Sequence, residues 1–155
     1  MSELELNTAA PAFDLPATSQ RTISLASLKG SKVVLYFYPR DATPGCTTES
    51  QNFRDAIDDF TAAGAVILGI SQDSIASHEK FKAKQQMPFE LLSDESGEVC
   101  RAYDVIKLKK MYGKEFEGIE RSTFLMDEEG ILRAQWRKVK VPGHVDEVLE
   151  ATKAL

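Results

Sequence analysis

Cysteine is scarce in this chain: Cys46 and Cys100 are the two thiols among 155 residues. Two are too few for a disulfide scaffold, so stability must come from an ordinary packed core. No apolar run approaches the ~20 residues that a membrane-spanning helix needs. Concentrated positive charge is missing as well. Lys and Arg number 19 against 24 Asp and Glu, a net charge of −5, and Lys107-Leu108-Lys109-Lys110 is a short basic run. Phosphate binding needs clustered cations, so no nucleic-acid partner is expected, and this run reads as a solvated loop or helix face. The opening residues MSELELNTAAPAF are acidic and lack a charged segment ahead of an apolar one. No signal peptide is expected from them, and a cytoplasmic location follows. With no internal repeat or low-complexity linker, residues 1–155 are expected to form one domain.

What is present alternates between two periodicities. Val33–Tyr38 (VVLYFY) is a continuous β-branched and aromatic run, the pattern of a strand buried on both faces. A helix follows from Thr43, with Phe53, Ala56, Ile57 and Phe60 at helical spacing, and Gly64 is placed to end it in a left-handed conformation. Ala65–Ile70 reads as a second buried strand, Asp73–Gln86 as a helix, Phe89–Leu92 as a short strand and Ser96–Tyr103 as another helix. Ser122–Met126 and Ile131–Trp136 read as a hairpin across Asp127–Gly130, and Val145, Val148 and Leu149 mark a last helix. Ile23–Leu25 adds a small peripheral strand. This order predicts an α/β fold with a central mixed sheet flanked by helices on both faces, and a thioredoxin-like arrangement fits it.

Cys46 stands at the seam between the first strand and its helix. Thr43 suits the N-cap and Pro44 the first helical position, which puts Cys46 at the third. A capping box would place a glutamate there, facing unpaired backbone N–H groups. A thiol in that place meets the same donors and the positive helix end, so the expected direction of its pKa is down. Most free cysteines are small core hydrophobes. Cys46 instead lies between Pro-Gly and Thr-Thr-Glu, off any apolar face, and reads as reactive.

Several chemistries fail on spacing. A C-x-x-C reductase motif would need cysteine at Glu49, and a C-x5-R phosphatase loop would need arginine at Asn52. A cysteine protease requires a histidine base, and His78 and His144 carry no motif; both read as surface residues of helices. Two cysteines and two histidines at these spacings do not make a metal site.

Pro39-Arg40-Asp41-Ala42-Thr43-Pro44-Gly45-Cys46 fits P-x-x-x-T-x-x-C, and Tyr36–Ser50 resembles the bacterioferritin-comigratory, or Q-type, branch of the peroxiredoxins. Ala10-Pro11-Ala12-Phe13, Gly69-Ile70-Ser71-Gln72-Asp73 and Arg121-Ser122-Thr123-Phe124-Leu125-Met126-Asp127 extend the resemblance over essentially the whole chain. It implies a thioredoxin fold and a thiol peroxidase acting on hydrogen peroxide and organic hydroperoxides with no cofactor or metal. Cys46 would attack the peroxide and become a sulfenic acid. Thr43 would hold the peroxide, Arg121 would stabilise both the thiolate and the leaving oxygen, and the N–H groups of Gly45 and Cys46 would serve the same charge. Pro39 would close the pocket, and Glu49 would support Arg121.

The departures from the family concern resolution. Many relatives keep a resolving cysteine five residues after the first, where this chain has Gln51, and others keep one in the next helix, where Asp73–Gln86 has none. Cys100 shares an apolar helix face with Val99 and Tyr103 and reads as core. A Cys46–Cys100 disulfide would need their Cα atoms within about 7 Å. A one-cysteine mechanism is therefore expected, with thioredoxin or a glutathione/glutaredoxin route supplying the thiol. The alternatives are an atypical two-cysteine mechanism through Cys100, or a redox-sensing module without efficient turnover. A glutathione-peroxidase-like enzyme fits less well, since Trp136 lies outside a suitable motif. Ending at Leu155 without the cysteine-bearing C-terminal extension of the ring-forming relatives, the chain is expected to be a monomer or weak dimer. Tyr38, Phe81, Met111, Tyr112 and Phe116 are read equally as an apolar rim around the pocket or as ordinary packing.

Overall fold

The computed structural model describes residues 4–155; Met1–Glu3 of the acidic opening stretch and the Met111 side chain lie outside the described residues. Strand β3 (Lys32–Phe37) is buried along its whole length. It pairs in parallel with β4 (Ala65–Ser71) on one side and antiparallel with β8 (Ser122–Met126) on the other. Being central and covered on both faces, it needs apolar side chains at each position from Val33 to Phe37, which is why its sequence does not alternate there. Strands β1 (Asp14–Ala17), β2 (Arg21–Ser24), β5 (Glu90–Ser93) and β9 (Leu132–Trp136) complete a seven-stranded mixed sheet in the order β2-β1-β5-β4-β3-β8-β9.

Successive β3 side chains divide the core in two. Val33, Leu35 and Phe37 face a cluster that contains Val99, Cys100 and Tyr103 from around α4 (Glu98–Ala102). Val34, Tyr36 and Tyr38 face the other cluster, built from α1 (Pro44–Asp55), α2 (Ile57–Ala62), α3 (Ile75–Gln85) and α5 (His144–Lys153). Helices thus cover both faces, as the element order predicts.

The single helix expected from Thr43 to Gly64 is two. Ala56 leaves helical geometry at φ −98°, ψ 6°, and its N–H is shared between the carbonyls of Asn52 and Phe53. Gly64 ends α2 at φ +81°, a conformation that costs glycine little. The basic run Lys107–Lys110 is neither loop nor helix. It lies in β6 (Ile106–Met111), which forms a separate two-stranded hairpin with β7 (Lys114–Ile119). Tyr112 and Gly113 turn that hairpin, both at positive φ as a two-residue connection of this twist requires.

Both histidines are buried, against the surface positions expected for them. His78 lies three residues after Ile75 and three before Phe81, on the face of α3 that meets the sheet. His144 opens α5 and is enclosed by Phe53 and Trp136, each ring edge-on to it. Its Nε2 lies 2.8 Å from the hydroxyl of Thr123.

Candidate active site

Residue Ser122 pairs with Phe37 across the β3–β8 register, so Arg121 enters beside the end of β3, where the chain turns into α1. Cys46 sits in the first turn of α1 with no solvent exposure. Arg121 Nη2 donates to its Sγ at 3.2 Å, and Nη1 donates to Oε1 of Glu49 at 2.6 Å. Glu49 follows Cys46 by one helical turn, so one planar guanidinium bridges the two side chains. Gly45 allows that approach: a Cβ there would stand 3.2 Å from Arg121 Nη2.

Electrostatics divide these groups. Burial pushes the Glu49 carboxyl up to about 7, outweighing the attraction of Arg121. Burial works against the Arg121 charge, but Glu49 and Cys46 beside it more than compensate and raise its hold on the proton. Glu49 Oε2 is buried without a hydrogen-bond partner. Lys109, on β6, feels Arg121 and Cys46; burial and the Arg121 charge lower its proton affinity.

The loop carrying the motif is clamped from below. The Asp41 N–H donates to Asp73 Oδ2 at 2.7 Å. Its carboxylate accepts from Tyr38 at 2.6 Å and Ser77 at 2.8 Å, and lies 2.7 Å from His78 Nδ1. Asp41, Asp73 and His78 have ligand-type atoms within 4.8 Å of one another. In Asp41 and His78 those atoms are occupied by hydrogen bonds that tie loop to helix. Ala42, the next residue, is held at φ +64°, a left-handed conformation disfavoured for a residue with a side chain. Underneath α1, Tyr36 stacks on Phe53 at 4.7 Å and its hydroxyl lies 2.8 Å from Ser50 Oγ.

The structure therefore brings Cys46, Arg121, Glu49 and Gly45 together. Thr43 occupies the N-cap with extended backbone, but its hydroxyl donates to the Arg40 carbonyl at 2.9 Å and does not cap the helix. Its oxygen lone pairs are left for another donor. Pro39 is exposed just past β3. Tyr38 and Phe81 are core residues, not a rim, whereas Tyr112 and Phe116 are exposed on the hairpin. Gln51 joins α1 to α3 through Gln85 at 2.8 Å. Asp41 and His78 are parts of the site that sequence reasoning misses; the helical spacing of His78 from Ile75 and Phe81 is the signal for its burial. An apolar groove bordered by Pro44, Gly45, Thr48, Val141 and Pro142 opens beside the helix start.

A cysteine at a helix start beneath an arginine is a nucleophile's setting, and sequence comparison says whose. Residues 6–135 match the AhpC/TSA family. The chain is a peroxiredoxin. Over 94% of its length it is 52% identical to putative peroxiredoxin bcp of Coxiella burnetii, covering 97% of that protein. It is 51% identical to peroxiredoxin Bcp of Bacillus subtilis, over 97% of this chain and 96% of the other. A Xanthomonas campestris bacterioferritin comigratory protein, described for its alkyl peroxide reduction activity, superposes with a TM-score of 0.88 at 51% identity, covering 92% of this chain and 90% of that one. This peroxiredoxin thus belongs to the bacterioferritin-comigratory, or Q-type, branch. It has the thioredoxin fold and is a thiol peroxidase with Cys46 as its peroxidatic cysteine.

Proposed function

We propose that this peroxiredoxin works by a one-cysteine mechanism: peroxide oxidises Cys46 to a sulfenic acid, and a thiol from outside the chain reduces it. The observation that carries this reading is the side of the sheet each sulfur occupies. Cys46 packs in the cluster faced by Val34, Tyr36 and Tyr38, and Cys100 in the one faced by Val33, Leu35 and Phe37. Bridging them would mean breaching the central strands, because a disulfide needs Cα atoms within about 7 Å. Burial, with the Asp94 carboxylate nearby, also pushes the Cys100 thiol well above its ordinary pKa, which makes it a poor attacking group.

Within the cycle Arg121 binds the sulfur and the leaving oxygen. Thr43 accepts a hydrogen bond from the incoming peroxide, the N–H groups of Gly45 and Cys46 add to the same charge stabilisation, and Pro39 shields the entrance. The groove beside Pro44 and Pro142 offers an apolar surface to the organic part of a hydroperoxide, so both hydrogen peroxide and organic hydroperoxides are substrates. Residues 1–155 act as one domain, as a monomer or weak dimer, with thioredoxin or a glutathione/glutaredoxin system as reductant. No helix among the described residues is long and apolar enough to cross a membrane, in keeping with a cytoplasmic setting.

Mass spectrometry tests the mechanism. The reduced protein, given one equivalent of peroxide and no thiol, should gain one oxygen. Loss of two hydrogens in the monomer, abolished by Cys100→Ser, would overturn the one-cysteine reading.

A further inference from the structure

Cys46 and Glu49 present the site with two buried acids and one partly exposed cation, Arg121. Both side chains have zero exposure, and Arg121 divides its terminal nitrogens between them. Ionising both would leave a buried negative charge without a partner, an arrangement that folded proteins avoid. We propose that Glu49 is the proton holder of this site: it keeps the proton that Cys46 gives up and returns it to the oxygen released when the peroxide bond breaks. The inference rests on Cys46 as the peroxidatic nucleophile.

The orphaned oxygen points the same way. Buried carboxylates ordinarily have both oxygens hydrogen-bonded. Glu49 Oε1 has Arg121, but Oε2 is buried with no partner, a state that a neutral carboxyl tolerates better than an anion. Burial accordingly moves its titration to about 7.

The surrounding groups do not change the balance. Tyr36, on β3, is held neutral, since burial raises its phenol well above the ordinary value. His144, on α5, is neutral too, its pKa lowered to about 4 by burial. Lys109, on β6, is half-exposed and stands near Glu120, so its charge is met by solvent and that carboxylate.

The charge then stays constant through the reaction. Before attack, Cys46 is the thiolate and Glu49 the neutral acid. The sulfur lone pair forms the S–O bond to the terminal oxygen of ROOH, which keeps its hydrogen. The O–O bond breaks and RO⁻ departs. The Glu49 proton passes through one intervening water to RO⁻, giving ROH. Cys46 ends as neutral S–OH, and Glu49 as a carboxylate paired with Arg121. Arg121 faces a single negative charge at both stages, and Glu49 positions and supplies the proton without touching the peroxide.

Leaving groups of different basicity test this. An alkoxide from tert-butyl hydroperoxide needs a proton, whereas the carboxylate from peracetic acid does not. Glu49→Gln keeps an acceptor for Arg121 Nη1 but has no proton to give. In stopped-flow single-turnover measurements at neutral pH, it should slow tert-butyl hydroperoxide about 100-fold. Peracetic acid should slow no more than a few-fold, which also reports an intact site. Equal losses on both oxidants, or none on either, would overturn the proposal. A purely structural Glu49 would give one of those results. In the unaltered protein, the ratio of the alkyl hydroperoxide rate to the peracid rate should fall as pH rises through about 7. A flat ratio would also overturn it. Turnover surviving in Cys46→Ser would instead remove the nucleophile itself, and so separates failure of the peroxidase assignment from failure of the Glu49 role.

Discussion

His78 holds Asp41 from beneath: Nδ1 of the buried imidazole lies 2.7 Å from Asp41 Oδ2, and its Nε2 lies 2.8 Å from the Leu92 carbonyl. One side chain thus pins the loop that leads into the Cys46 helix to strand β5. Burial alone would raise the Asp41 pKa. The hydrogen bond and charge of His78, with hydrogen bonds from Tyr38 and Ser77, prevail and hold it below the ordinary 3.8. A depressed carboxylate contributes stability that is present above its unfolded pKa and lost as pH falls through the folded one.

Asp41→Asn should therefore destabilise the protein by about 1–3 kcal/mol near pH 7, since it weakens a buried charged hydrogen-bond set. The deficit should shrink below the ordinary aspartate pKa, where the parent loses the same contribution. Chemical denaturation at pH 7 and near pH 3 checks this. An Asp41→Asn protein as stable as the parent at pH 7 would contradict the clamp.

Gly45→Ala addresses the active site without touching the core. The added Cβ would stand 3.2 Å from Arg121 Nη2, closer than most real Cβ contacts, so the guanidinium must shift by a few tenths of an ångström. Small misplacements of a positioning group slow chemistry steeply, and a loss of about tenfold in the peroxide rate is expected. Gly45 is exposed and helical, so the melting temperature should hardly move. Rate loss with unchanged stability is the signature to measure by stopped flow and thermal melts.

His144 gives a second pH dependence with its own window. Burial, and to a smaller degree Arg121, lowers its pKa from 6.5 to about 4, against the opposing pull of Glu147. Below pH 6.5 the unfolded chain takes up a proton that the folded chain refuses, so stability should fall as pH drops from 6.5 towards 4. Below that range the folded imidazole is protonated as well and the dependence levels off. His144→Gln should flatten the slope of melting temperature against pH across this window. A slope unchanged by the substitution would assign it to other groups.

Legibility in the sequence follows the range of the interactions. The buried strands, the helix start at Pro44 and the hairpin ending at Trp136 are readable because each is written in consecutive residues. β1 is not, because it is four residues long, contains Pro16 and joins β5 through one residue pair, Ala17 with Leu92. The β6–β7 hairpin escapes notice because its lysines look solvated and its turn, Tyr112-Gly113, is brief. His78 and His144 read as surface residues because burying an imidazole depends on partners such as Asp41 and Thr123 that lie far away in the chain.

That Cys46 stands at a helix start behind a buried strand follows from near neighbours alone, since Thr43, Pro44 and the run from Val33 to Tyr38 act locally. What surrounds that sulfur depends on distant parts of the chain. Arg121, 75 residues away, arrives because β8 pairs with β3, and Glu49 meets it because a helical turn lines the carboxyl up with the thiol. The two cysteines part company for a similar reason. Successive side chains on a strand point to opposite faces, so a central sheet stands between thiols that the sequence alone could not separate.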